Sequence, residues 1–280
     1  MVDSVAGKEA ERPIWHFDLQ VYGSFVISTR FQLEEVEAFF AEEIVFRDIE
    51  VRPASYGAQI FFKMHAENGL VGSHIALFYL ERLLDVLATR CNLPLLASRQ
   101  EARPFMRDRG ITKRALEKPE WQSAFRETHF LFHQEPRFLG ALGAYRQGLC
   151  QEGPAERFLA FHQVLCSRTV QDAGNLWTTI HEHLASLERG LTEVWGATQA
   201  WPFFLREDGA LEEVVSLAIQ CHKGSAPLMP PVLGRIFERL DLLHRAAYAL
   251  LVAWRKQIEI PGEFYHMNVY PETGWGYLVH

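Results

Sequence analysis

The chain has 280 residues, 48% of them hydrophobic and 22% charged, with a net charge of −7 and a sequence pI near 6.0. That is enough for one large or two ordinary domains of soluble globular type, with no need for a disulfide or metal staple. The acidic balance argues against unaided nucleic-acid binding, which leaves a basic footprint. The four cysteines, Cys91, Cys150, Cys166 and Cys221, form no CxxC pair and are read as reduced, mostly buried thiols of a cytoplasmic protein.

The first twelve residues, MVDSVAGKEAER, are polar without an apolar core and are expected to be a disordered arm rather than a leader. No apolar run reaches the ~18 residues of a membrane span. The longest, Ala246–Trp254, meets Arg255 and Lys256 at once.

From Ile14 the pattern alternates. Trp15, Phe17, Leu19 and Val21 share one face, and His16, Asp18 and Gln20 the other, which is the period of a half-buried strand. QLEEVEAFFAEE (32–43) reads as a short amphipathic helix. IVFRDIEVR (44–52) and YGAQIFFKMHA (56–66) read as strands joined by a turn at Pro-Ala-Ser. A helix over 71–91 follows, with Leu80, Leu83, Leu84 and Leu87 on one face and Glu81, Arg82 and Arg90 opposite. Asn92 and Pro94 end it. The order predicts a small antiparallel sheet with helices on one side, an α+β domain over 13–118. Residues 95–120 carry Arg99, Arg103, Arg107, Arg109, Lys113, Arg114 and Lys118, a solvated linker or a phosphate-contacting patch.

Residues 119–257 read as helical throughout. Phe138, Leu142, Tyr145 and Leu149 step by four, three and four. Gly153-Pro154 breaks the chain, and Phe158, Phe161 and Leu165 open a second helix that must return antiparallel. Further helices are expected over 175–187 and, capped by Asp208, through Leu211 to about Gln220. The longest begins near Pro231, with a seam of Ile236, Leu240, Leu243, Ala247, Leu250 and Trp254. Such a seam belongs to a central helix or an oligomer contact. The aromatic-rich end, 258–280, predicts a docked β-hairpin around PETG.

Glycine-rich phosphate loops, GxSxG and HExxH are absent from the sequence. His129 and His133 stand four apart and could chelate a metal from one helix face, which would suit a metal-dependent enzyme of unspecified class. His181 and His183, two apart, face different sides of a helix and are read as surface histidines.

The text RFLGALGAYRQGLCQEGPAERFLAFHQVL, with Tyr145-Arg146 in its first helix and Arg157-Phe158-Leu159 opening its second, resembles the methylamine utilization protein MauJ family. The helix pairs and the final long helix after a histidine-containing junction resemble HEPN helical domains. The resemblance implies an α+β domain followed by a HEPN-like helical bundle. Many HEPN domains are metal-independent ribonucleases with an arginine and a histidine at that junction. The histidine acts as acid or base on the 2′-hydroxyl, and the arginine steadies the phosphorane charge. The matching junction is LAIQCHKGSAPLMPP. His222 falls at the histidine position, but Leu217 stands where the arginine belongs. The expected function is therefore a non-catalytic binding or scaffold protein with a degenerate HEPN-like domain. It would act through protein partners or a homodimer, without a cofactor, nucleic acid being disfavoured by charge. The alternative is a ribonuclease using His222 with Arg235.

Overall fold

The computed structural model describes residues 13–33, 38–40, 44–55, 57–98, 114–168, 180–202, 205–206, 209–223 and 229–258. The expected arm (1–12), the basic run from Arg99 to Lys113, the Asp208 cap and the hairpin at 259–280 lie outside them. The class is α+β. The chain forms two compact units, one from residues up to 84 together with 95–129, the other from 85–94 together with 130 onward. The expected division at 118/119 and this division at 129/130 differ by part of one helix.

In the first unit, strand β1 (Ile14–Tyr22) follows the expected alternation. Leu19 and Val21 are buried and His16 and Asp18 exposed. The strands β2 (Phe25–Val26), β3 (Phe31–Leu33), β4 (Ala38–Phe40), β5 (Ile44–Ala54) and β6 (Gly57–His65) come next. The main sheet is six-stranded and antiparallel, in the order β3-β5-β6-β1-β7, with β4 also pairing β5. Its last strand, β7, spans Leu96–Ser98. β1 runs against β6 from Ile14↔His65 to Tyr22↔Gly57. β2 pairs in parallel with β8 (Arg114–Ala115) in a separate two-stranded ladder.

The helix expected over 32–43 is corrected: its described residues are strand. Phe31–Leu33 pairs with Val51–Ile49 and Ala38–Phe40 with Phe46–Ile44. An apolar residue every three or four positions suits a short helix, but the eleven-residue β5 offers a complete hydrogen-bonding edge, and tertiary pairing overrides so weak a local preference. The β5–β6 turn also falls later than Pro-Ala-Ser, because Pro53 and Ala54 still pair with Ala58 and Gly57. Gly57, at φ 133°, takes a backbone conformation closed to other residues.

Helix α1 (Gly69–Cys91) begins where Asn68 Oδ1 accepts the Val71 amide. Leu80, Leu83, Leu84 and Leu87 are fully buried, as expected. Arg90, expected on the opposite face, is buried. Asn92 at φ 50° and the Leu93 amide bonded to Ala88 O close the helix as a Schellman motif, with asparagine in the left-handed position. Within the first unit Tyr79 meets Phe62 and Phe125 edge-on, and Phe25 meets Trp121 on helix α2 (Lys118–Gln134).

The second unit is built on α3 (Pro136–Cys150), α4 (Pro154–Cys166), α5 (Ile180–Trp195), a 3-10 turn (Thr198–Ala200), α6 (Ala210–Lys223) and α7 (Pro230–Gln257). Helices α3, α4 and α7 each start on proline, whose missing N–H costs nothing there and whose φ is preset. The seam of α7 is core. Ile236, Leu243, Ala247 and Leu250 are fully buried and Leu240 and Trp254 nearly so, packed against α3 and α4. Phe138 meets Trp254, and Tyr145 meets Phe161 and Tyr248. Among the described residues no helix is long and apolar enough to cross a membrane.

Candidate functional site: a buried histidine–cysteine cluster

Helix α4 turns Phe158, Phe161 and Leu165 inward. The same periodicity brings His162 and Cys166, four apart, onto one buried face. Helix α5 buries His183, Leu187, Gly190, Leu191 and Val194, a stripe in steps of four, three, one and three. His183 occupies the first place on that stripe, where it is 3% exposed, whereas His181 is exposed. The reading of both as surface histidines is thus corrected for His183. The apolar stripe, not the polarity of imidazole, decides which of the two goes inside.

The packing of α5 on α4 brings the three side chains together. Cys166 Sγ lies 3.7 Å from His162 Nε2 and 3.6 Å from His183 Nε2, and the two imidazole centroids are 4.9 Å apart. One donor atom from each residue falls within 4.8 Å of the other two. Burial holds the His162 imidazole down to about 3, helped by the neighbouring His183 and His222. Burial lowers His183 to about 4, with His222 adding to it. The Cys166 thiol is pushed up to about 12 by burial. All three are neutral near pH 7: two imidazoles and one thiol in a buried cluster.

His222 lies at the end of α6, exposed, close enough for its charge to act on both imidazoles. Leu217, on the same helix, is fully buried. Arg235 is exposed on the second turn of α7, and the connection at 224–228 lies outside the described residues. His129 and His133 both stand on α2, partly buried and exposed respectively. Among the described residues neither belongs to a group of three metal-capable donors.

A second polar group sits in the helical unit. The Tyr145 hydroxyl donates to Asn92 Oδ1 at 2.7 Å and lies 2.8 Å from His244 Nε2. One hydroxyl proton serves one acceptor, so His244 carries its proton on Nε2 and donates to the tyrosine oxygen. The His244 ring stacks on Phe161 with centroids 4.5 Å apart. Burial, then Arg157 and Arg245, lower its pKa to about 4. Next to Tyr145, the Arg146 Nε donates to Asp85 Oδ1 at 2.5 Å in a buried ion pair.

The signal for the cluster was present in the sequence. His-x3-Cys on a helix is a chelating spacing, and His183 is in register with Leu187 and Leu191. What the sequence lacks is any sign that α4 and α5 face one another at those turns. No family model, no curated protein and no solved structure matches the chain.

Proposed function

We propose that the chain is a non-catalytic binding protein whose helical unit is a degenerate HEPN-like module and that it acts through protein contacts, first with a second copy of itself. One observation carries this reading. Met229, at the N-cap of α7, is 68% exposed and Phe237, two turns on, is 62% exposed, with Val232 and Leu233 half-exposed between them. Positions 229, 233 and 237 step by four and make one apolar stripe on the outer side of a helix whose other side is core. Large apolar side chains gathered in water mark contact surfaces. The burial of Leu217 speaks for the non-catalytic part. An arginine there would have to leave the core to meet a phosphate, and loss of one such donor costs ~10²–10³-fold in rate.

Sedimentation velocity of the wild type and of Phe237→Asp tests the reading. A concentration-dependent dimer in the wild type that the variant loses is expected. A wild type that stays monomeric at high concentration overturns it. A ribonuclease assay without metal runs beside it. Cleavage by the wild type that both His222→Ala and Arg235→Ala abolish would replace the binding reading with a nuclease.

A further inference from the structure

We infer that His162, Cys166 and His183 form the protein half of a binding site for a borderline-soft divalent cation of the zinc class, with His222 as the fourth ligand. The inference stands apart from the partner-binding reading and rests on distances and donor chemistry.

Tetrahedral zinc holds imidazole nitrogen at ~2.0–2.1 Å and thiolate sulfur at ~2.3 Å, which sets a nitrogen–sulfur edge of about 3.5 Å. The two nitrogen–sulfur separations here are 3.6 and 3.7 Å. Both separations match that edge. Sγ is also 3.9 Å from His162 Nδ1, so the His162 ring must turn to aim its Nε2 lone pair at the ion, a side-chain rotation that asks little of α4 or α5. A hydrophobic core gives no reason for this spacing, because the same positions filled by leucine or alanine would pack without burying three polar groups.

The donor set selects the cation. Two imidazoles and one thiolate favour zinc or cobalt(II), and the absence of a carboxylate from the set disfavours magnesium and calcium. On binding, the imidazoles enter as neutral ligands. The Cys166 S–H bond breaks, its electron pair forms the sulfur–metal bond and its proton passes to water, one proton released per divalent ion. The centre then carries a net single positive charge. His222 stands outside the group of donors within 4.8 Å of one another, so its side chain must swing in from the end of α6 to add a neutral fourth donor. It is also exposed, whereas the other three donors are buried.

The ion would tie α4 to α5, which are separated in sequence by residues 167–179, and fasten the end of α6 to both. Its role on this geometry is structural. With His222 as the fourth ligand the protein fills the tetrahedron, and no carboxylate in the set is placed to act as a base.

The test uses the purified full chain, stripped with chelator and reloaded with Zn²⁺ or Co²⁺. One ion per chain is expected. The cobalt form should show intense tetrahedral visible bands with a thiolate-to-cobalt charge-transfer band in the near ultraviolet. The charge-transfer band should vanish in Cys166→Ser and persist in Cys150→Ser, which alters a thiol outside the cluster. Affinity should fall by more than about 100-fold in His183→Gln, since even outer-shell changes cost ~10–100-fold. Zinc should raise the melting temperature of the wild type and not that of Cys166→Ser. Circular dichroism of each stripped variant shows whether it folds, so a lost ion is not mistaken for a lost fold. Stoichiometric binding retained in Cys166→Ser, or a cobalt form without the thiolate band, overturns the site. Unchanged affinity in His222→Ala overturns the assignment of the fourth ligand.

Discussion

Asp85 and Arg146 make the sharpest available test of how the helical unit is held. The Asp85 side chain is fully buried, that of Arg146 is 9% exposed, and the guanidinium Nε meets Oδ1 directly. Arg146→Met keeps most of the side-chain volume but removes the guanidinium that meets the buried carboxylate at Oδ1. Removing one partner of a buried pair costs about 3–5 kcal/mol, because desolvation of the remaining charge is no longer offset. For a unit of this size, ~1 kcal/mol corresponds to roughly 2–4 °C, so the melting temperature should fall by roughly 10 °C. Asp85→Asn should cost less, since the amide keeps an oxygen that accepts from Arg146 Nε. The double variant Asp85→Asn/Arg146→Met should recover part of the loss, giving a coupling of about 1–3 kcal/mol in a double-mutant cycle. Urea denaturation followed by far-ultraviolet circular dichroism reads all four proteins, provided the slope with denaturant stays constant. A loss below about 1 kcal/mol in Arg146→Met, or strictly additive effects, would refute the argument.

Two glycines of α3 should respond with opposite signs. A Cβ at Gly140 meets nothing within 4 Å, so Gly140→Ala should stabilise by up to ~1 kcal/mol through helix propensity. A Cβ at Gly148 would fall 2.5 Å from the fully buried Phe161 ring, so Gly148→Ala should destabilise by about 1–3 kcal/mol. The same melting experiment checks both. Tyr145→Phe removes the hydroxyl shared by Asn92 and His244 and should cost about 1–3 kcal/mol in urea denaturation, the penalty of leaving those two groups without it. His244 gives a pH signature. Its pKa falls from 6.5 to about 4 on folding, so between these values the unfolded chain binds the extra proton and stability must fall as pH falls. The span corresponds to about 3 kcal/mol, present above pH 6.5 and gone by about pH 4. His244→Gln should flatten that part of the wild-type curve, and an unchanged slope between pH 6.5 and 4 would count against the assignment.

The sequence by itself determined what acts over a turn or two of chain. The alternation of Trp15, Phe17, Leu19 and Val21, the leucine face of α1 and the long seam of α7 were all legible. Each is a periodic choice between core and water made by the backbone's own geometry. Pro154 and the proline pair at 230–231 mark helix starts for the same local reason. Only the tertiary structure decided which elements meet. Ala38–Phe40 pairs with β5 and is not helical, because a neighbouring strand edge outweighs a short amphipathic pattern. His183 goes inside and His181 stays out because α5 presents one stripe to α4. The histidine–cysteine cluster draws on both kinds of information. His162 and Cys166 share a face by local periodicity, but a third donor 17 residues beyond Cys166 reaches Sγ only when two helices pack at that level, and no period in the chain encodes that contact.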